Sequence, residues 1–235
     1  MTVREQIEAL YAKQVAELVG CPGFEALERG RASRGAYDRF IEGVVRAHLL
    51  SPQLLAFLYA LAPPDAVGAL RHNMLEELGI DEATGIAHPA LLRQLAVGAG
   101  LGDRLLALEA EAAADLRRIV VDPILYGTLR ELGLAALAEI TAFEYMLARV
   151  AGRIARALAR HRGLAPAALE WFTHHSEVDI RHAEEGLANL EAYVRYYEFP
   201  EAEALTIVEM TLRENVFVKR YFGALAARVA REITR

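Results

Sequence analysis

The sequence predicts an all-α protein on three observations. Apolar residues recur at helical spacing almost throughout, as in Phe40, Val44, Val45 and Leu49 or Leu205, Val208, Leu212, Val216 and Phe217. Sustained period-two alternation, the mark of half-buried strands, is absent. Glycines and prolines cut the chain at intervals that suit helices: Gly20 to Gly23 with Pro22, then Pro52, the pair Pro63 and Pro64, Gly79 to Pro89, Gly98 to Gly102, Pro123, Gly163 to Pro166, and Pro200. The segments between these cuts give about seven or eight helices. With 235 residues, no internal repeat and no cut long enough to be a linker, one domain over residues 1–235 is expected.

Composition bounds the function. Hydrophobic residues make up 54% and charged residues 25% of the chain, an ordinary globular balance. A formal charge of −6 offers no general attraction to nucleic acid or anionic lipid, so neither partner is expected. Apolar runs such as Leu134 to Leu137 are interrupted by Glu139 and Glu144 well short of the roughly 20 residues that span a bilayer. The single cysteine, Cys21, has no internal disulfide partner, and no basic and then apolar leader is seen, so a cytoplasmic location is expected.

Two segments carry polar groups where core residues belong. In Phe172-Thr-His-His-Ser-Glu-Val-Asp-Ile-Arg-His-Ala183, steps of four and three place His175, Asp179 and His182 on one narrow arc of a helix. Taken alone, that triplet reads equally as a polar helix surface. Upstream, Glu144 interrupts Ala142, Phe143, Tyr145, Met146 and Leu147 near the inward face of its own helix. Farther upstream, Asn73-Met-Leu-Glu-Glu-Leu-Gly79 is followed by His88-Pro-Ala-Leu-Leu92. Carboxylates and imidazoles from three regions suit a dinuclear site, in which bridging carboxylates neutralise two cations and imidazoles complete each shell.

Glu-Glu-x-Gly, then His-Pro-x-Leu with Gly100-Leu101, Phe143-Glu144 and His175-x3-Asp179-x2-His182 together resemble the haem-oxygenase-like dimetal oxidases, within the superfamily that includes the TenA and PqqC-like folds, over roughly residues 24–225. The resemblance implies a haem-oxygenase-like helical bundle and metal ligands at Glu76, His88, Glu144, His175, Asp179 and His182. It implies two Fe(II) ions, with manganese as the alternative, and O2 as co-substrate. The activity implied is oxidation of a small amine, amino-acid or fatty-acid-like substrate by N-oxygenation, C–C cleavage or desaturation, with an external reductant and a homodimer both left open. For the first carboxylate, Glu77 or Asp81 would share the face of His88 better on an unbroken helix, but Gly79 and Gly85 argue against one, so Glu76 is kept. This stretch resembles a part of the family fold that often orders only on metal binding.

Several family activities fit less well. The tyrosines and lysine of the self-sacrificing 4-aminobenzoate-forming members correspond to Phe24, Phe143 and Ile154, and the mid-chain nucleophilic cysteine of TenA thiaminases is missing. For the extra carboxylate of N-oxygenating members only Asp38 and Glu42 offer themselves. Two rivals stand beside the dimetal reading: a cofactorless oxidase like pyrroloquinoline-quinone synthase, and a non-catalytic helical partner-binding protein. The stripe Arg149, Arg153, Arg156 and Arg160 reads as a solvated face, and Tyr193, Tyr196, Tyr197 and Phe199 as packing. Arg213 and Asn215 read as surface pairing, with a substrate carboxylate as the sharper alternative. His72 and His161 read as ordinary surface residues, and His174 as a neighbour of the ligands.

Overall fold

A computed structural model describes residues 1–80, 85–122 and 127–227, and those residues contain helices and no strands. In chain order the α-helices are α1 (Val3–Val19), α2 (Pro22–Glu28), α3 (Arg34–His48), α4 (Ser51–Ala60), α5 (Val67–Glu77), α6 (His88–Gly98), α7 (Leu105–Leu116), α8 (Leu129–Ala157), α9 (Glu170–Tyr196), α10 (Glu201–Thr211) and α11 (Val216–Phe222). The described helices outnumber the seven or eight that breakers alone suggest. The reason is that two breaks fall outside those cuts, at Gly30 (φ 69°) between α2 and α3 and at Glu214 and Asn215 (φ 66° and 48°) between α10 and α11.

α8 and α9, of 29 and 27 residues, form the axis of the bundle and pack along one another more extensively than any other pair of elements. At 1.5 Å per residue each is about 40 Å long. A capping box starts α8: Thr128 N–H donates to the Glu131 carboxylate, and the Thr128 hydroxyl also bonds to it. The same device at Thr2 and Glu5 starts α1, which lies against α9, α10 and α11. α3 packs on α11, α7 and α6, while α5 packs on α4 and both α5 and α6 reach α9.

The core is continuous, with Ile7, Tyr11, Leu18, Phe24, Phe40, Trp171, Phe172 and Phe217 fully enclosed. Into it project the polar faces of α5, α8 and α9. No helix among the described residues is long and apolar enough to cross a membrane.

The arginine stripe on α8 is used locally. Arg153 forms a two-pronged pair with Glu28 at 2.7 and 2.8 Å, and the Arg149 guanidinium lies 3.3 Å from the Tyr145 ring centroid. Tyr193 packs on Tyr197 and Phe199. Asn215 caps α11 through Val218 N–H at 3.0 Å and donates to the Gln14 carbonyl, a structural use on the interior side of the bundle.

Candidate metal centre

Eight polar side chains meet inside the bundle: Asn73, Glu76 and Glu77 at the end of α5, His88 at the start of α6, Glu144 in the middle of α8, and His175, Asp179 and His182 on α9. All are buried, with exposures from 1% to 9%. Local sequence explains each placement. On α9 the four-and-three spacing aligns three ligand types along the face turned to α8 and α5. On α8, Glu144 lies between Phe143 and Tyr145 within a run buried from Ile140 to Leu147, which takes its carboxylate into the interior.

α5 stops at Glu77, and Gly79 turns the chain with φ +71° while its α-carbon lies so close to the Ile86 and Ala87 backbone that an added Cβ would meet them at 2.6 Å. Only glycine combines that left-handed conformation with that approach, and the result is His88 beside Glu77. Asp81, the other carboxylate weighed for this position, lies outside the described residues.

Two half-sites result. In the first, Glu77 Oε1 lies 3.0 Å from His88 Nδ1 and 3.9 Å from His175 Nε2, and the two imidazoles pack edge to face with centroids 4.7 Å apart. One ligand atom from each of Glu77, His88 and His175 falls within 4.8 Å of the others, a spacing that fits a cation. His175 Nδ1 lies 2.7 Å from the Trp171 carbonyl and donates to it, which leaves Nε2 as the ring atom that faces Glu77. The Ser51 hydroxyl donates to Glu77 Oε2 at 2.5 Å and fixes the carboxylate plane.

In the second half-site His182 Nε2 lies 2.7 Å from Glu76 Oε2 and its Nδ1 lies 3.4 Å from Asp179 Oδ1. Arg181 donates to both Glu76 oxygens at 2.5 and 2.7 Å. The Asn73 amide donates to Glu144 Oε1 at 2.6 Å.

The sequence-predicted residues therefore lie together, with Glu76 facing His182 and Glu77 facing His88 and His175. Asn73, Ser51, Trp171 and Arg181 support the site without having been singled out. Trp171 had a readable signal, lying one turn before His175 on the same face; Ser51 and Arg181 had none. Asp38 and Glu42 are instead paired with Arg162 and Arg104 at 2.9 and 3.0 Å. His174 packs edge to face on His88, 4.9 Å between centroids, as expected of a neighbour of the ligands.

Electrostatics show strain that protons only partly relieve. Burial, compounded by the charges of Asp179 and Glu77, pushes the Glu144 carboxyl up to about 7 against the favourable charge of His182 and the Asn73 hydrogen bond. Burial would lower His182, but hydrogen bonds to Asp179 and Glu76 overcome it and raise the imidazole to about 11. Burial likewise opposes ionisation of Glu76 and Glu77. His182 and Arg181 nevertheless hold Glu76 at about 2, and His88 and His175 hold Glu77 well below the usual carboxylate range.

Four carboxylates thus share an interior with few fixed cations, and Asp179 Oδ2 is buried with no hydrogen-bond partner among the described residues. An unpaired buried carboxylate oxygen is costly unless a cation completes it. The donor set, carboxylate oxygens with imidazole nitrogens, fits iron or manganese and lacks the thiolates that soft metals prefer.

A family model described as iron-containing redox enzyme matches residues 38–213, well over half of the chain. The chain belongs to this haem-oxygenase-like family. The matched residues run from α3 through α10 and include every carboxylate and histidine of the two half-sites. Membership therefore places the chain among iron-containing redox enzymes, and the buried cluster of Glu77, His88 and His175 is a candidate place for a metal. No curated protein matches the chain.

Proposed function

We propose that this protein is a non-haem dimetal oxidase or oxygenase, with iron as the metal and O2 as co-substrate. The observation that carries the reading is the pairing of two half-sites across one helix end, Glu77 with His88 and His175, and His182 with Glu76 and Asp179, with the Glu144 carboxylate feeling the charges of Glu77, Asp179 and His182. Two ferrous ions so held supply the electrons and open positions that dioxygen reduction needs.

The chain's own residues account for the rest. His88 and His175 would hold one metal ion and His182 the other, and the ionised Glu144 carboxylate, which burial and then the charges of Asp179 and Glu77 disfavour, would be stabilised by a nearby cation. His182 and Glu144 would have to give up their protons to act as ligands, so metal uptake would release protons. The Trp171 carbonyl and the Ser51 hydroxyl keep His175 and Glu77 oriented. The buried runs of α8 and α9 keep water from the reacting atoms. Small amines, amino acids and fatty-acid-like molecules are the substrates to examine first, with N-oxygenation, C–C cleavage and desaturation as the reactions.

The test is anaerobic loading with Fe(II), followed by rapid mixing with oxygenated buffer in the presence of a panel of such compounds. A transient visible absorption that decays faster with one compound is the expected result. No oxygen-dependent optical change in protein carrying its full complement of iron would refute the reading. Substrate turnover by rigorously metal-free protein would instead support a cofactorless oxidase of the same fold.

A further inference from the structure

A cleft of about 640 Å³ opens among α3, α7 and α11, away from the metal ligands. Six cationic side chains line it against four carboxylates, on a chain whose formal charge is −6. Three of the cations, Arg39, Arg213 and Lys219, are exposed and have no carboxylate partner within ion-pair distance among the described residues. The cleft is therefore locally positive where the molecule is negative, and it favours an anion.

Behind it lies a second cavity of about 50 Å³, several times the ~10–15 Å³ that one water requires. Leu54, Ala112, Ile140 and Phe143 make its inner end apolar, with His48 and Ser51 there and the charged residues confined to the side toward the cleft. The two cavities share a wall. Its charged part is the pairs Arg46 to Asp115, at 2.5 and 2.9 Å, and Arg220 to Glu139, at 2.6 Å, and its apolar part is Ala47 and Ile119. The inner cavity ends against the metal centre. Ser51 donates to Glu77, and the His48 ring packs 5.0 Å from Trp171, whose own ring lies 4.2 Å from His175. His48 is held neutral, since burial drives its pKa down to about 3, and it adds no charge to this end.

We propose that this cleft and cavity form the substrate passage, and that the substrate is an organic acid with an apolar body. The acidic head stays in the cleft against Arg213 and Lys219, and the apolar end passes Ala47 and Ile119 to lie beside Ser51 and Phe143. The polarity gradient, cationic outside and apolar within, orients the molecule with its hydrocarbon end toward the metals. An amine head would meet the same excess of positive charge and binds more weakly there than an acid. This inference depends on the proposed metal centre only for what lies at the inner end of the passage.

Trp171, the only tryptophan, abuts the inner cavity through His48 and reports occupancy by its fluorescence. The experiment titrates metal-free protein at pH 8 with hexanoate, hexan-1-ol and hexylamine. Hexanoate is expected to give a saturable change and to bind tightest of the three. Replacing two surface charges with R213Q/K219Q weakens hexanoate by about fivefold and leaves hexan-1-ol unchanged, and high salt acts like the double substitution. L54F, which narrows the inner cavity, abolishes the response to hexanoate. Equal binding of the alcohol or the amine, or hexanoate binding indifferent to R213Q/K219Q, overturns the proposal. Because the readout needs no metal, its failure is distinguishable from failure of the metal centre, which the iron content of the same preparation tests separately.

Discussion

Glu144 shares the bundle interior with Asp179 and Glu77, and in the fold it keeps its proton up to about pH 7, whereas an unfolded glutamate releases it near 4.5. As pH rises across that window the unfolded chain gives up a proton that the metal-free fold retains, so the metal-free fold loses stability. Glu144→Gln removes the charge and keeps an oxygen for the Asn73 amide. It should therefore stabilise metal-free protein at pH 8 by roughly 1–3 kcal/mol and leave it unchanged at pH 4, by urea denaturation, while lowering iron affinity. A substitution that strengthens the empty fold and weakens the metal site is expected of a group placed for a cation rather than for packing. Glu76→Gln and Glu77→Gln should each weaken one half-site, read as the loss of about one equivalent of bound iron per chain. At this scale the sequence was informative wherever a polar residue broke an apolar face, as at Glu144 and His175. Adjacent glutamates defeated it, because spacing alone does not say where a helix ends, and α5 ends at Glu77.

Elements meet at the site because two glycines let backbones approach. Gly186 stands one turn beyond His182 on α9, and a Cβ there would meet the Thr141 side chain of α8 at 2.6 Å, one turn before Glu144. That close passage draws Glu144 and His182 together. Gly186→Ala gains about 1 kcal/mol of helix propensity but forces the long helices apart, an overpacking cost of about 1–3 kcal/mol. The expected net result is a lower denaturation midpoint together with weaker iron binding. Gly79→Ala acts differently, since both its positive φ and the 2.6 Å approach of the Ile86 and Ala87 backbone must be relieved by moving the turn. It should separate Glu77 from His88 and cost iron affinity at the first half-site before the second. Glycines in the sequence marked a break near residue 79 but not its purpose. The prolines were read as boundaries and several proved to be helix starts, because Pro restricts the residue before it and its fixed φ is preorganised for the first turn of a helix.

For the whole molecule, the apolar periodicity identified an all-α bundle because helices bury one stripe each, and nothing else in the chain competes with that pattern. The cleft and its inner cavity were not legible, since they depend on how α3, α7 and α11 converge, and residues as far apart as Arg39 and Lys219 have no local signal of proximity. A bundle that gathers four carboxylates in its centre should also gain stability from its ligand. Iron at 100 times its dissociation constant is expected to add about 2.7 kcal/mol per site to the unfolding free energy, measured anaerobically and absent with a chelator.

Anomalous diffraction at the iron edge from crystals grown anaerobically with Fe(II) tests directly whether two cations lie between α5, α6, α8 and α9. Two peaks about 3.5–4 Å apart are expected, one against Glu77, His88 and His175 and the other against Glu76, Asp179 and His182, with Glu144 between them. A single peak, or iron bound only outside this cluster, would contradict a two-cation site.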